Sequence, residues 1–370
     1  MSRPTALVIG GTGPTGYYIV DGLIERGFAV AILHTGRHEI DEIPAEVEHI
    51  HTDPFAEAAL RAALGARTFD LTVATYGRLR RVAQVMAGKT GRFISVGGGP
   101  AYLGYMNAGV IEPAGLPVPV AEDAAMVTAE EQDAKGYRIA LTEAALFEAQ
   151  PDATHFRYPY IYGKYQIAPR EWSVVRRILD GREFIILPDG GLTLNHYGFA
   201  GNMAHALLLA VDNFEVSRGQ VYNCGDDEVL TLRQVVDVIA TALEYRWTIE
   251  NLPWEFAAPA RPMVQQPWTT HRVFDIAKLK RDLGYRDRVR PREALAMVAR
   301  QLAEAPLPYG GTAEKVLQDP FDYAAEDAIV AAWRQARTMM PEPAFAGSEP
   351  GYGTSYSGPG GKARSHKFEK

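Results

Sequence analysis

The sequence predicts an α/β fold: a doubly wound parallel sheet with a smaller mixed α/β lobe toward the C-terminus. Three observations predict it. Short β-branched runs alternate with helical stretches through roughly the first 165 residues, which is the pattern of a parallel sheet covered by helices on both faces. The strand candidates are almost continuously apolar, as burial on both sides requires. A glycine-rich turn, Gly10-Gly11-Thr12-Gly13-Pro14-Thr15-Gly16, joins the first strand candidate to the first helix candidate.

The elements follow in order. Thr5–Ile9 reads as a strand and Thr15–Arg26 as a helix. Phe28–Leu33 and Val47–His51 read as strands, and Ala56–Leu64 as a helix. Leu71–Ala74 and Phe93–Val96 are further strands around a helix at Leu79–Met86. Pro100 to Pro119 is rich in Gly and Pro and reads as a long loop over the carboxyl edge of the sheet, a length usually tied to function. Ala134–Ala149 is the next helix and Ala153–Phe156 the next strand. Beyond Pro159 the pattern mixes helices (Trp172–Leu179, Phe199–Val211, Thr231–Leu243, Ile276–Leu283, Arg292–Leu302, Tyr323–Arg337) with strands (Glu183–Leu187, Gln220–Asn223, Trp247–Asn251). The expected division is a nucleotide-binding domain over 1–165, with 195–230 returning to it, a substrate lobe over 166–340, and a disordered tail over 341–370 that is rich in Gly, Ser and Pro.

The chain has 370 residues, 47% hydrophobic and 22% charged, as an ordinary globular protein does. A net charge of −7 disfavours a general affinity for nucleic acid. The single cysteine, Cys224, excludes an intrachain disulfide, and a reducing cytoplasmic location is expected. No secretory signal or membrane-spanning run is read. No metal site is expected either: the histidines are scattered, no H-E-x-x-H occurs, and one cysteine cannot build a structural zinc site.

The glycine turn matches G-x-G-x-x-G from Gly11 and G-x-x-G-x-x-G from Gly10. Placed between strand and helix, it lets backbone amides approach a diphosphate at a helix N-terminus. A Rossmann-type dinucleotide site is therefore expected, with Gly10, Thr12, Gly13, Pro14, Thr15 and Gly16 at the phosphates. The second strand ends in His34, where NAD sites usually place an acid, and Arg37 follows. A guanidinium pairs well with a 2′-phosphate, so NADP is the expected cofactor, with NAD possible; as a plain loop charge, Arg37 would say nothing. Asp53 is placed to accept from the adenine amino group or to cap the helix starting near Ala56. Ala74 and Tyr160 complete the expected cofactor contacts.

Later segments carry a resemblance. Arg157-Tyr158-Pro159-Tyr160-Ile161-Tyr162-Gly163, Val221-Tyr222-Asn223-Cys224-Gly225 with Leu230-Thr231-Leu232, and Asp275 through Tyr285 are similar, in order and spacing, to segments of the extended short-chain dehydrogenases/reductases. Over roughly residues 5–300 the chain resembles the NAD-dependent epimerase/dehydratase-like proteins, and its second half looks like the atypical branch that includes chloroplast stem-loop-binding proteins. The resemblance implies a bound NAD(P), a small-molecule substrate with a hydroxyl or ketone, and a homodimer.

It also exposes departures. The family's chemistry uses a tyrosine, a lysine four residues later that favours the phenolate, and a serine or threonine that orients the substrate oxygen. Tyr137 stands at about the tyrosine's place, but Leu141 follows at the lysine position; starting from Lys135 puts Ile139 there. Gly98 falls where the hydroxyl is expected. Tyr137 is the candidate acid/base, or else a surface tyrosine. Tyr102, Tyr105 and His196 are the alternatives for the proton. Tyr105, Tyr162, Trp172 and His196 are the candidate substrate residues, with core packing the other reading of each aromatic. The competing function is a non-redox nucleotide- or RNA-binding protein on the same fold, in which Arg78, Arg80, Arg81, Arg170, Arg176 and Arg177 form local basic patches.

Overall fold

A computed structural model of the protein describes residues 3–75, 77–265 and 270–347. Among these, seven parallel strands form one sheet: β1 (Thr5–Ile9), β2 (Ala29–His34), β3 (Glu48–His51), β4 (Phe69–Ala74), β5 (Thr90–Gly98), β6 (Thr154–Tyr158) and β10 (Val221–Asn223). Their spatial order is β10-β6-β5-β4-β1-β2-β3. The order reverses between β1 and β4, the topological switch point at which open α/β sheets bind ligands.

Alternation along β1 shows how the sheet is held. Ala6 and Val8 join one core with Ile19, Val20 and Leu23 of α1 (Gly16–Glu25) and with Ala204, Leu207 and Leu208 of α6 (Ala200–Asp212). Leu7 and Ile9 join the opposite core with Leu60 of α2 (Glu57–Leu64), Val82 and Met86 of α3 (Leu79–Met86), and Leu146 of α4 (Ala134–Ala149). Both faces are thus buried, at roughly 1.5–3 kcal/mol for each large apolar side chain. Gly22 brings α1 close to α6, since a Cβ there would stand 2.2 Å from Leu208 Cδ1.

The boundaries expected for the sheet strands and their helices agree with these elements to within a few residues. Two short parallel pairs were not anticipated as such. β7 (Tyr160–Tyr162) pairs with β9 (Tyr197–Phe199), and β8 (Phe184–Pro188) pairs with β11 (Thr248–Leu252). The latter two strands were expected, but not their partnership. The chain through Asp322 forms one compact unit, and Tyr323 begins a second, whose described part carries the helix Tyr323–Thr338. Of the expected tail, 348–370 lies outside the described residues. No described helix is long and apolar enough to cross a membrane.

The glycine turn is packed against itself. Gly10 has φ 95° and donates its N–H to the Leu33 carbonyl at 3.1 Å. A Cβ on Gly16 would lie 2.4 Å from the Gly11 carbonyl oxygen, whereas one on Gly13 would meet only the Gly10 carbonyl oxygen at 3.6 Å. Gly16→Ala should therefore cost about 1–3 kcal/mol in unfolding free energy, as overpacking does, while Gly13→Ala should melt close to the parent. Equal denaturation midpoints for the two variants would contradict this account of the turn.

Candidate functional site

The glycine turn delivers the start of α1 to the carboxyl edge of the sheet beside the switch point. Thr15, at the N-cap, makes no side-chain capping bond, and no acidic residue occupies the first turn. Gly16 N–H donates back to the Gly13 carbonyl at 3.0 Å, but the next amides of the first turn lack intrahelical partners, so this terminus presents N–H donors and the positive end of the helix dipole. Beside it, Thr75 bonds back to the Ile9 carbonyl at 3.1 Å and tethers the end of β4 to the turn.

A cleft of about 650 Å³ opens at the ends of β4, β5 and β6. Its floor is Thr75, Gly97, Gly98, Tyr158 and Tyr160, and its walls come from the start of α3 and from one face of α4. Arg78, Arg80, Arg81 and Lys135 reach it, against the single carboxylate of Glu143, so the cleft is electropositive. Of the arginines read as basic patches, Arg78, Arg80 and Arg81 are thus cleft residues, whereas Arg170, Arg176 and Arg177 are paired with Glu171, Glu314 and Asp319 and form no such patch. Arg81 also touches Glu57 at 3.3 Å.

The helix register on α4 is decisive. Lys135, Ile139, Thr142 and Glu143 form the cleft-facing stripe. Tyr137, about 200° around the helix from Lys135, is half-buried and lies outside the cleft wall. The residue that occupies the cleft at the first turn of α4 is therefore a lysine.

Several expected site residues are structural. Tyr102 is buried, and its hydroxyl donates to Asn223 Oδ1 at 2.6 Å while accepting from Arg157 at 2.6 Å. Arg157 in turn grips Glu143 through two contacts, at 2.9 and 2.5 Å. Tyr102 is thus a member of a buried network rather than a proton donor to a ligand. Trp172 is fully buried and donates its Nε1–H to Glu314 at 2.8 Å. Tyr162 donates to Asp226 Oδ2 at 2.9 Å. His196 sits between the Asp226 carbonyl at 2.7 Å and the Phe274 N–H at 3.2 Å, and burial pushes its pKa down to about 4. None of Tyr102, Tyr162, Trp172 or His196 lines the cleft. Tyr105 and Tyr160 do.

The expected cofactor residues separate likewise. Ala74 ends β4 beside Ile9 and Ser95. Asp53 accepts from Phe55 N–H at 2.8 Å, forming the turn before α2 and leaving one oxygen uncommitted. Arg37 is exposed and pairs with no acid among the described residues. His34 is buried, and it is not alone: its Nε2 lies 3.1 Å from His49 Nδ1, and Glu39 contacts His34, His49 and His51. Three of the nine histidines, His34, His49 and His51, are thus brought together with Glu39 at the ends of β2 and β3, which corrects the expectation that no metal-ligand cluster exists.

Two features were missed. His155 lies under Gly97, with Ser95 Oγ 2.8 Å from Nδ1 and Glu143 Oε2 3.4 Å from Nε2; it lines the cleft, and burial pushes its pKa down to about 4. The signal was present as His155 and Arg157 on one face of an otherwise apolar strand, polar residues that burial tolerates only when they are paired. Arg272 is also buried, its guanidinium 4.7 Å over the Tyr105 ring, with no well-formed hydrogen bond at any of its three nitrogens.

Neither a family model nor a curated protein matches the sequence. Solved structures do match in fold. A UDP-glucose 4-epimerase from Thermotoga maritima, in complex with UDP-glucose, superposes with a TM-score of 0.64 at 18% identity, over 81% of this chain and 99% of its own. A UDP-galactose 4-epimerase gives 0.61 at 15% identity, over 82% and 100%. A dTDP-glucose 4,6-dehydratase from Bacillus anthracis, in complex with NAD, gives 0.62 at 14% identity, over 82% and 97%. The chain has the epimerase and dehydratase fold.

Buried Asp226 holds β7, whose Tyr160 borders the cleft. Its carboxylate accepts from Phe199 N–H at 3.0 Å, Asn202 Nδ2 at 3.0 Å and Tyr162 at 2.9 Å, tying β7, β9 and α6 together. Burial, with help from nearby Asp287, raises its pKa to about 7. The folded carboxyl therefore keeps its proton where the unfolded one, near pKa 4, has lost it. Its stabilising contribution is full below about pH 4 and fades as pH rises to 7. The stability gap between the wild type and Asp226→Asn should narrow across that window, by up to ~4 kcal/mol. Urea titrations at pH 5 and pH 8 that show a constant gap would refute this.

Proposed function

We propose that the protein is a nicotinamide-dinucleotide-dependent enzyme of the epimerase/dehydratase or oxidoreductase kind, acting on a hydroxyl or ketone of a small anionic molecule such as a nucleotide sugar. The observation that carries this reading is the juxtaposition of an uncapped α1 N-terminus, bared by Gly13, with an electropositive cleft at the same sheet edge. The residues fit the cofactor: the turn's amides would hold the diphosphate, and Tyr160 and Gly98 border the space for the nicotinamide. When bound, the nicotinamide supplies hydride transfer. Exposed Arg37 and the absence of an acid at the end of β2 favour NADP; the solved relatives in fold with NAD bound favour NAD.

The chain's own part is to bind and to handle the proton. Arg78, Arg80 and Lys135 attract the substrate's phosphates, and buried Arg272, over the Tyr105 ring and interacting with Tyr160, offers further donors. Among the described residues, no tyrosine with a lysine four positions later faces the cleft. His155, neutral at pH 7 and held by Ser95, lines the cleft with its Nε2 buried beneath Gly97 and 3.4 Å from Glu143, and is the candidate to receive a hydroxyl proton, with Lys135 the positive charge on the same cleft wall.

Assayed by nicotinamide absorbance or by product analysis over a panel of nucleotide sugars, His155→Gln should lower kcat by about 10²–10⁴-fold, an acid/base contribution, while Tyr137→Phe leaves kcat unchanged. A collapse of turnover in Tyr137→Phe with His155→Gln unaffected would reverse the assignment. The second reading, a non-redox nucleotide- or RNA-binding protein, draws on the same arginines; salt-sensitive RNA binding without any turnover would favour it.

A further inference from the structure

The cluster at the ends of β2 and β3 belongs neither to the cleft nor to the glycine turn. His34 closes β2, and His49 and His51 lie two residues apart on β3, hence on one face of that strand. The parallel register pairs His34 with His51. Glu39 reaches the same point from the loop between the two strands. Gly36, in the turn after His34, has φ 73°, and a Cβ there would stand 3.3 Å from the His51 ring.

One ligand atom from each of the four side chains lies within 4.8 Å of every other. The closest pairs are His34 Nε2 to His49 Nδ1 at 3.1 Å, and Glu39 oxygens to His51 Nε2 at 3.1 Å, His49 Nδ1 at 3.2 Å and His34 Nε2 at 3.7 Å. Zinc holds imidazole nitrogen at about 2.0–2.1 Å and carboxylate oxygen at about 2.0–2.2 Å, which places tetrahedral ligands about 3.3–3.5 Å apart. These four closest spacings lie around that edge, and no pair of ligand atoms exceeds 4.8 Å, so small side-chain shifts would complete the tetrahedron. Three imidazoles and one carboxylate are also a donor set suited to zinc and its first-row neighbours rather than to calcium or magnesium, which take oxygen.

We propose that His34, Glu39, His49 and His51 form a four-coordinate site for a divalent transition-metal ion, zinc foremost. Three neutral imidazoles and one carboxylate leave a bound divalent ion with one net positive charge. His34 anchors the site, being buried, while Glu39, His49 and His51 are exposed enough for the ion to enter without unfolding. Ligation through Nε2 moves the His34 proton to Nδ1, replaces the 3.1 Å hydrogen bond between His34 Nε2 and His49 Nδ1 by ligation of both imidazoles, and gives up the long 3.4 Å contact from Gly36 N–H. The ion would pin the β2–β3 loop to the sheet edge. The site rests on β2, β3 and the loop between them, and is argued independently of any bound dinucleotide.

The test uses the full chain, stripped with a chelator and titrated with zinc chloride by calorimetry and with cobalt(II) chloride by visible absorption. One equivalent should bind per chain, and the cobalt form should show the intense visible bands of four-coordinate geometry. His51→Ala and Glu39→Gln alter exposed side chains and should keep the fold by circular dichroism. Each should weaken zinc at least tenfold, since loss even of an outer-sphere partner costs about 10–100-fold. The double variant His49→Ala/His51→Ala should abolish the cobalt bands. Absence of saturable binding to the wild type, or unchanged stoichiometry and bands in the double variant, would overturn the proposal.

Discussion

The reversal of strand order between β1 and β4 governs what this molecule can present to a ligand. Chain leaving β1 must cross to one face of the sheet, and chain leaving β4 to the other, so the loops after the two strands diverge and leave a crevice. Burial on both faces makes this rigid, because β1 cannot shift by one residue without sending Ala6 and Val8 into the core that Leu7 and Ile9 fill. The glycine turn then aims helix amides into the crevice, and the cleft beyond β4, β5 and β6 continues it.

Within that frame, polar groups have been redistributed. Tyr102, a sequence candidate for handling the proton, is locked to Arg157 and Asn223. The same arginine holds Glu143, so a buried ion pair and a tyrosine share one network next to the cleft. Breaking a buried pair on one side is far costlier than never having it, which makes this network a fixed wall. Among the buried groups with unmet hydrogen-bonding capacity, His155 lines the cleft and the Arg272 guanidinium lies over cleft-lining Tyr105, which is where chemistry or recognition can act.

The sheet and its helices were legible because each element buries a periodic face: the period of two in β1 and the apolar stripe of α1 are written locally. β7 and β9 were not seen as strands, each being three residues long and defined only by its partner. The cleft side of α4 was misjudged because motif position does not fix helix rotation; Lys135 and Tyr137 differ by two residues and by more than half a turn. Trp172 and Tyr162 looked like pocket aromatics, yet their polar atoms are consumed by Glu314 and Asp226, far along the chain. The histidine cluster was invisible for a similar reason. His34 meets His51 only through the β2–β3 register, which no local pattern discloses.

The account stands or falls on whether a diphosphate rests on the amides at the start of α1. Amide hydrogen exchange of the full chain, with and without saturating NAD(H) or NADP(H), measures this directly. The account predicts slowed exchange concentrated in residues 10–18, with a smaller effect at the cleft. Dinucleotide at millimolar concentration that leaves those residues exchanging as before would contradict it.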